Sequence, residues 1–200
     1  ARMNWGQLRV WNDDEIAAQS GFAPHPHRDM EIITYVRKGA ITHEDNLGNR
    51  GRTEAGDVQV MSAGTGIAHS EYNLEDQSTE IFQIWIQPNQ VGLPPSWGAK
   101  PFPKGERAGV FVTLASGFEE DVDALHIRTE ARLAAATVQA GQHAEYALQP
   151  GRKAYLVGAT GRFTVNGVAA KARDGVAIAD ETVIRIEALE DSEIVLVDVA

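Results

Sequence analysis

The chain contains no cysteine, which excludes disulfides, thiolate metal sites and a cysteine nucleophile. It is also short of positive charge: 18 Lys and Arg stand against 28 Asp and Glu, a net charge of -10. An acidic chain without a basic stripe lacks the cations that neutralise phosphates, so no direct nucleic-acid partner is expected. No stretch approaches the roughly 20 apolar residues of a membrane-spanning helix, and no membrane partner is expected either. The start, Ala1-Arg2-Met3-Asn4-Trp5, has no signal-peptide apolar core. The cytoplasm is therefore the expected compartment.

Sustained helical periodicity is missing as well. What replaces it is a series of short β-branched or aromatic runs bounded by Gly, Pro or Asn, which predicts strands. Examples are Ile32–Val36, Val58–Met61, Ile81–Ile86, Gly109–Leu114, Ala154–Val157, Arg162–Val165, Val183–Ile186 and Ile194–Val197. Asn166-Gly167 is a two-residue hairpin signal, because both turn positions need positive φ. Asn46-Leu47-Gly48-Asn49 reads as another turn. Glu130 to Ala136 has helical leanings, with a strand over Leu133 to Val138 as the equal alternative. Five of the eight prolines fall between Pro88 and Pro103, a segment read as a linker or extended crossing rather than sheet. A domain boundary is placed there, giving residues 1–97 and 98–200, each a small all-β sandwich or barrel.

Histidine is scarce, 6 in 200 residues, yet three of them sit in two compact motifs. Side chains two apart on a strand share a face, about 6–7 Å apart at Cα. His25-Pro26-His27 thus presents two imidazoles together, and His69-Ser70-Glu71 presents an imidazole and a carboxylate. Neutral imidazoles with one carboxylate suit a divalent first-row metal with open positions. Glu31, four residues after His27, competes with Glu71 for the carboxylate place on this reasoning. His43, beside Glu44 and Asp45 near a turn, reads as a solvated loop residue or part of a pocket mouth, and His126 and His143 as surface or packing residues.

The same residues resemble the cupin superfamily and, within it, the pirins. Gly21, His25-Pro26-His27, Glu31 and Gly39 match the first cupin motif; Gly56, Gly64, His69 and Asn73 match the second. The wider gap between Gly64 and His69, and Ser62 in place of proline, are departures that are themselves pirin-like. Phe22 to Glu31, Thr42-His43-Glu44-Asp45 with Gly48-Asn49, Met61 to Asn73 and Ile84-Trp85-Ile86 resemble the bacterial pirin signature. The likeness is dense over 3–97 and looser over 151–199, and the family's N-terminal strand region would precede Ala1. It implies a bicupin, two small β-barrel or jelly-roll domains facing each other, with metal only in the N-terminal one. It also implies His25, His27, His69 and Glu71 as ligands, with Glu31 behind them orienting a histidine. The cofactor it implies is Fe(II), with Cu, Ni, Mn, Co or Zn as alternatives.

Several bacterial pirins resemble quercetinases, which open flavonols such as quercetin with O2 and release carbon monoxide. In that reading Glu71 is the catalytic base for the flavonol 3-hydroxyl, and Phe22, Met30, Met61 and Phe82 wall a slot for the planar substrate. The alternative implied by the family is a redox-sensitive iron protein acting through a protein partner.

Overall fold

The computed structural model describes residues 4–102 and 104–200; Ala1-Arg2-Met3 and Pro103, on which two of the readings above touch, lie outside them. Among the described residues regular structure is strand, apart from one 3-10 turn at Lys104–Arg107. The chain divides into two compact units. One is Gln7–Phe102 with Leu125–Thr129; the other is Glu130–Ala200 with the described parts of Ala1–Gly6 and Pro103–Ala124.

The first unit runs β1 (Leu8–Ile16), β2 (Ser20–His27), β3 (Glu31–Lys38), β4 (Ala40–Asp45), β5 (Arg50–Glu54), β6 (Val58–Ser62), β7 (Ile67–Asn73), β8 (Thr79–Ile86) and β9 (Ser96–Lys100). These form two antiparallel sheets, ordered β1-β8-β3-β6-β9 and β2-β7-β4-β5. This interleaving is that of a jelly roll. Ile16, Val36, Ile41 and Ile81, drawn from both sheets, pack into one apolar cluster between them, which closes one end of the sandwich.

Next come β10 (Val112–Ser116) and the two-residue β11 (Leu125–His126), which belongs to the first unit. The second unit continues with β12 (Arg132–Val138), β13 (His143–Ala147), β14 (Lys153–Thr160), β15 (Arg162–Val165), β16 (Val168–Lys171), β17 (Gly175–Ile178), β18 (Val183–Ala188) and β19 (Ser192–Val199). Its sheets include β12-β19-β14-β17 and β13-β18-β15-β16. Counted from β12, that is the same strand order as in the first unit. Asn166 and Gly167 have φ of 47° and 81° between β15 and β16, the conformation the hairpin signal requires.

Two expectations change. The helical alternative for Glu130 to Ala136 gives way to strand β12, paired on both sides by β10 and β19. Its run Leu133-Ala134-Ala135-Ala136 is wholly buried, so tertiary packing overrides the helix preference of alanine. The proline-rich segment contains β9, antiparallel to β6. Its prolines flank the strand, Pro94 and Pro95 before it and Pro101 after it, where no ladder donor is lost.

Candidate metal centre

Three adjacent strands, β2, β7 and β4, each bring two residues spaced two apart to the interior. The register sets His25 opposite His69 and His69 opposite Asp45, while Phe22, Glu71 and His43 form the next row. β2 has a bulge between Phe22 and His25. Three residues there span what two span on β7, so both Phe22 and His25 take up the same facing.

The imidazoles of His25, His27 and His69 converge. Their ring centroids lie 4.5 Å (His25–His69), 4.8 Å (His25–His27) and 5.0 Å (His27–His69) apart, and one donor nitrogen from each lies within 4.8 Å of the others. His25 Nδ1 is 2.8 Å from the Ala23 carbonyl, which can only accept, so its proton sits on Nδ1 and Nε2 is bare. His69 Nε2 is buried without a hydrogen-bond partner. Burial, reinforced by His25, lowers His27 to about 4. Burial together with His25, His43 and His27 lowers His69 to about 3. At neutral pH the His27 and His69 rings are therefore uncharged and offer lone pairs, as metal ligation requires.

Glu71 is buried beside them. Its Oε1 accepts from Thr34 Oγ1 at 3.1 Å and Gln59 Nε2 at 2.6 Å, and its Oε2 accepts from Gln83 Nε2 at 2.7 Å. Those three donors form one cross-strand row over β8, β3 and β6. Burial pushes the Glu71 carboxyl above its ordinary range, opposed by the Thr34 and Gln83 hydrogen bonds. A second potential ligand group joins Glu71 to His43 and His69, so His69 belongs to both.

His43 is not a solvated loop residue. It lies in β4 with no exposed surface, its Nε2 is 3.0 Å from Asp45 Oδ2, and its Nδ1 is 3.3 Å from His69 Nδ1. Burial lowers its proton affinity, opposed by Asp45. The signal was present in the sequence: His43 and Asp45 are themselves two apart.

An apolar row, Trp85–Ile32–Met61–Trp97, crosses the opposing sheet, and Met30 packs with it. Trp85 stands edge-on to His27 at 5.1 Å, and Trp97 lies flat on His43 at 4.8 Å and 10°. A β-carbon on Gly51 would run into the Trp97 ring. Of the four residues expected to wall a slot, Met61 and Met30 are here and Phe22 is 41% exposed. Phe82 is elsewhere. Its neighbour Gln83 points to Glu71, so Phe82 faces the other side of β8, packed on Trp11 and Tyr35 under the Arg37 guanidinium. Glu31 is corrected for the same reason. Thr34 faces Glu71, so Glu31, three residues earlier in an unbroken strand, faces away. Its carboxylate accepts from Ser62 Oγ at 2.6 Å and the Arg128 amide at 3.2 Å, so it does not orient a ligand histidine. His126 and His143 are exposed. In the second unit, the strands matching β4 and β7 place Phe163, Val165, Ile184 and Ile186 in the core.

The donor set fits a metal ion: neutral imidazoles, a carboxylate, and a buried ring nitrogen otherwise left unsatisfied at a cost. The Pirin family model matches residues 1–86, and that of the quercetinase C-terminal cupin domain matches 113–199. A pirin-like protein of Caulobacter vibrioides is 68% identical over 99% of this chain and 85% of its own length. Quercetin 2,3-dioxygenase of Escherichia coli K12 is 39% identical over 98% of this chain and 84% of its own. The crystal structure of the bacterial pirin YhhW from E. coli in complex with nickel(II) superposes with a TM-score of 0.90 at 37% identity, covering 98% of this chain and 84% of that one.

Proposed function

This chain belongs to the pirin family, and from that premise we propose that it is a metal-dependent dioxygenase opening flavonols such as quercetin with O2. The observation that carries the reading is the convergence of His25, His27 and His69 donor atoms within 4.8 Å, with His69 Nε2 buried and unpartnered. The metal would be held by His25, His27, His69 and Glu71, in the N-terminal domain expected over 1–97, with none in the C-terminal domain over 98–200. Fe(II) is the proposed ion; that the E. coli relative was crystallised in complex with nickel(II) supports a divalent metal as the cofactor. Bound there, such an ion supplies a Lewis acid that lowers the proton affinity of the flavonol 3-hydroxyl and brings substrate and O2 together.

The residues of the chain supply the rest. Glu71 takes the hydroxyl proton, and its burial, which raises its own proton affinity, suits it to keep that proton. Oε2 would serve in turn as ligand atom and, once substrate takes its place on the ion, as the receiving atom, since it carries one donor, Gln83, where Oε1 carries two. Thr34, Gln59 and Gln83 fix the carboxylate so that its direction survives the proton's arrival. Trp85, Met61 and Met30 offer an apolar wall that excludes water and suits a flat aromatic ring. Both oxygen atoms of O2 enter the opened product, and the carbon bearing the 3-hydroxyl departs as carbon monoxide. The family names of the relatives support this substrate class. No helix of the described residues is long and apolar enough to cross a membrane, and the cytoplasm is the proposed compartment.

The test is quercetin turnover by metal-loaded protein, read as absorbance loss with O2 uptake and carbon monoxide release, all abolished by His69→Ala. Fully loaded protein that turns over no faster than free metal overturns the reading.

A further inference from the structure

The Asp45 carboxylate is an unusual collector of donors for a turn residue. Oδ1 accepts the backbone amides of Leu47 at 2.9 Å and Asn49 at 3.0 Å. Oδ2 accepts Asn49 Nδ2 at 2.9 Å and faces His43 Nε2 at 3.0 Å. The side chain is fully buried. Three of the nitrogens around it, the Leu47 and Asn49 amides and Asn49 Nδ2, can only donate, and a carboxylate accepting that many N–H bonds is held in its ionised form. An ionised carboxylate can only accept, so the proton of the neutral His43 ring is on Nε2 and its Nδ1 carries a lone pair.

That lone pair points at His69 Nδ1, 3.3 Å away. Two lone pairs do not face each other at that distance, so the proton between the rings belongs to His69 Nδ1. A neutral imidazole has one N–H, and His69 Nε2 is therefore bare. It is also the buried atom that lacks a partner.

We propose that Asp45, acting through His43, is a positioning residue that fixes the tautomer of His69 and so presents the Nε2 lone pair to the metal. The inference rests on the metal-binding part of the reading above and not on its substrate. Trp97, flat on His43, keeps that ring in the plane that joins its two partners. The turn between β4 and β5, by organising Asp45, reaches the metal through two rings. Groups that hold a ligand histidine from behind in this way typically change metal affinity by roughly 10–100-fold.

Asp45→Asn separates positioning from mere support. The amides of Leu47 and Asn49 still need an acceptor, so the new side chain keeps its oxygen there and turns its NH2 toward His43 Nε2. His43 must then carry its proton on Nδ1 and donate to His69 Nδ1, which moves the His69 proton onto Nε2. The conservative variant thus keeps both backbone turn bonds, with the Asn49 side-chain amide turned over so that its oxygen meets the new NH2, and inverts the relay, whereas Asp45→Ala loses turn bonds but leaves the rings free to choose. Zn2+ affinity, measured against a chromophoric chelator, is expected to fall by roughly 10–100-fold in Asp45→Asn and by less in Asp45→Ala. Histidine 15N NMR of the metal-free proteins should show His69 protonated at Nδ1 in the wild type and at Nε2 in Asp45→Asn. Unchanged Zn2+ affinity in Asp45→Asn, a greater loss in Asp45→Ala, or wild-type His69 protonated at Nε2 would each overturn the proposal. Quercetin turnover enters neither measurement, so a failed substrate reading leaves this test intact. A wild type that binds no Zn2+ would sink the metal reading, and the tautomer spectrum would still decide this one.

Discussion

His25 faces His69 directly across the β2–β7 ladder, with ring centroids 4.5 Å apart. Their donor nitrogens lie within 4.8 Å of each other and of the His27 donor, and converging ring lone pairs repel unless a cation lies between them. Replacing His25 by Ala should therefore weaken Zn2+ binding well beyond the roughly 10–100-fold typical of outer hydrogen-bond partners, while the metal-free protein keeps its β-rich circular dichroism. Chelator competition and a spectrum of the same sample check this; an affinity within tenfold of wild type argues that His25 is no ligand.

Metal-free protein should lose stability on the acid side of neutrality. Unfolded, His27 and His69 take up protons near their ordinary 6.5; folded, they resist until about 4 and about 3. Between pH ~6.5 and ~4 the unfolded chain therefore binds more protons, up to about two from this pair, and stability falls as pH falls. Above that window the contribution is complete and flat. Urea midpoints at pH 7.5, 6 and 5 should show the slope, and the double variant His27→Gln, His69→Gln should flatten it. An equal slope in the double variant assigns it to other groups.

Glu71 and its row of donors make a third case. Glu71→Gln leaves the site's size unchanged but removes the base, and quercetin turnover should fall roughly 100-fold or more. Gln59→Leu removes the 2.6 Å donor to Oε1 and should destabilise the protein by about 1–3 kcal/mol through an under-satisfied buried carboxylate. Turnover measured beside denaturant unfolding distinguishes them: catalytic loss without unfolding for the first, a lowered unfolding midpoint for the second.

Gly51 supports the site through Trp97. Gly51→Ala forces the indole off His43 and should cost about 1–3 kcal/mol, the usual penalty of overpacking. Tryptophan fluorescence should shift in the folded protein. A variant with native fluorescence and native stability would mean that the ring has room that its contacts do not suggest.

Much of the site was legible because its logic is local. His25-Pro26-His27 and His69-Ser70-Glu71 show their common facing within three residues each, by strand alternation alone. What escaped depends on register between strands. Trp97 meets Met61, and His43 meets Glu71, because β9 and β4 pair as they do, and pairing partners far apart in sequence leave no short-range mark. Glu31 and Phe82 were misplaced for the complementary reason. Each lies near a motif in sequence, but on β3 and β8 alternation turns it away from the row that holds Glu71. The Asn166-Gly167 turn needed no such context, since positive φ at both residues is a property of the dipeptide.

The bulge in β2 carries a consequence for how the chain tolerates change in length. Phe22 and His25 are an odd number of residues apart and still face the same way, because the bulge absorbs one residue. Losing Ala23 would straighten the ladder and leave His25 pointing inward, whereas losing a residue between His25 and His27 would turn one imidazole outward. The first deletion spares the ligand's direction but removes the carbonyl that anchors its Nδ1 proton. Length variation among relatives at this strand should therefore be asymmetric, admitted before His25 only where another acceptor takes over that proton, and refused after it.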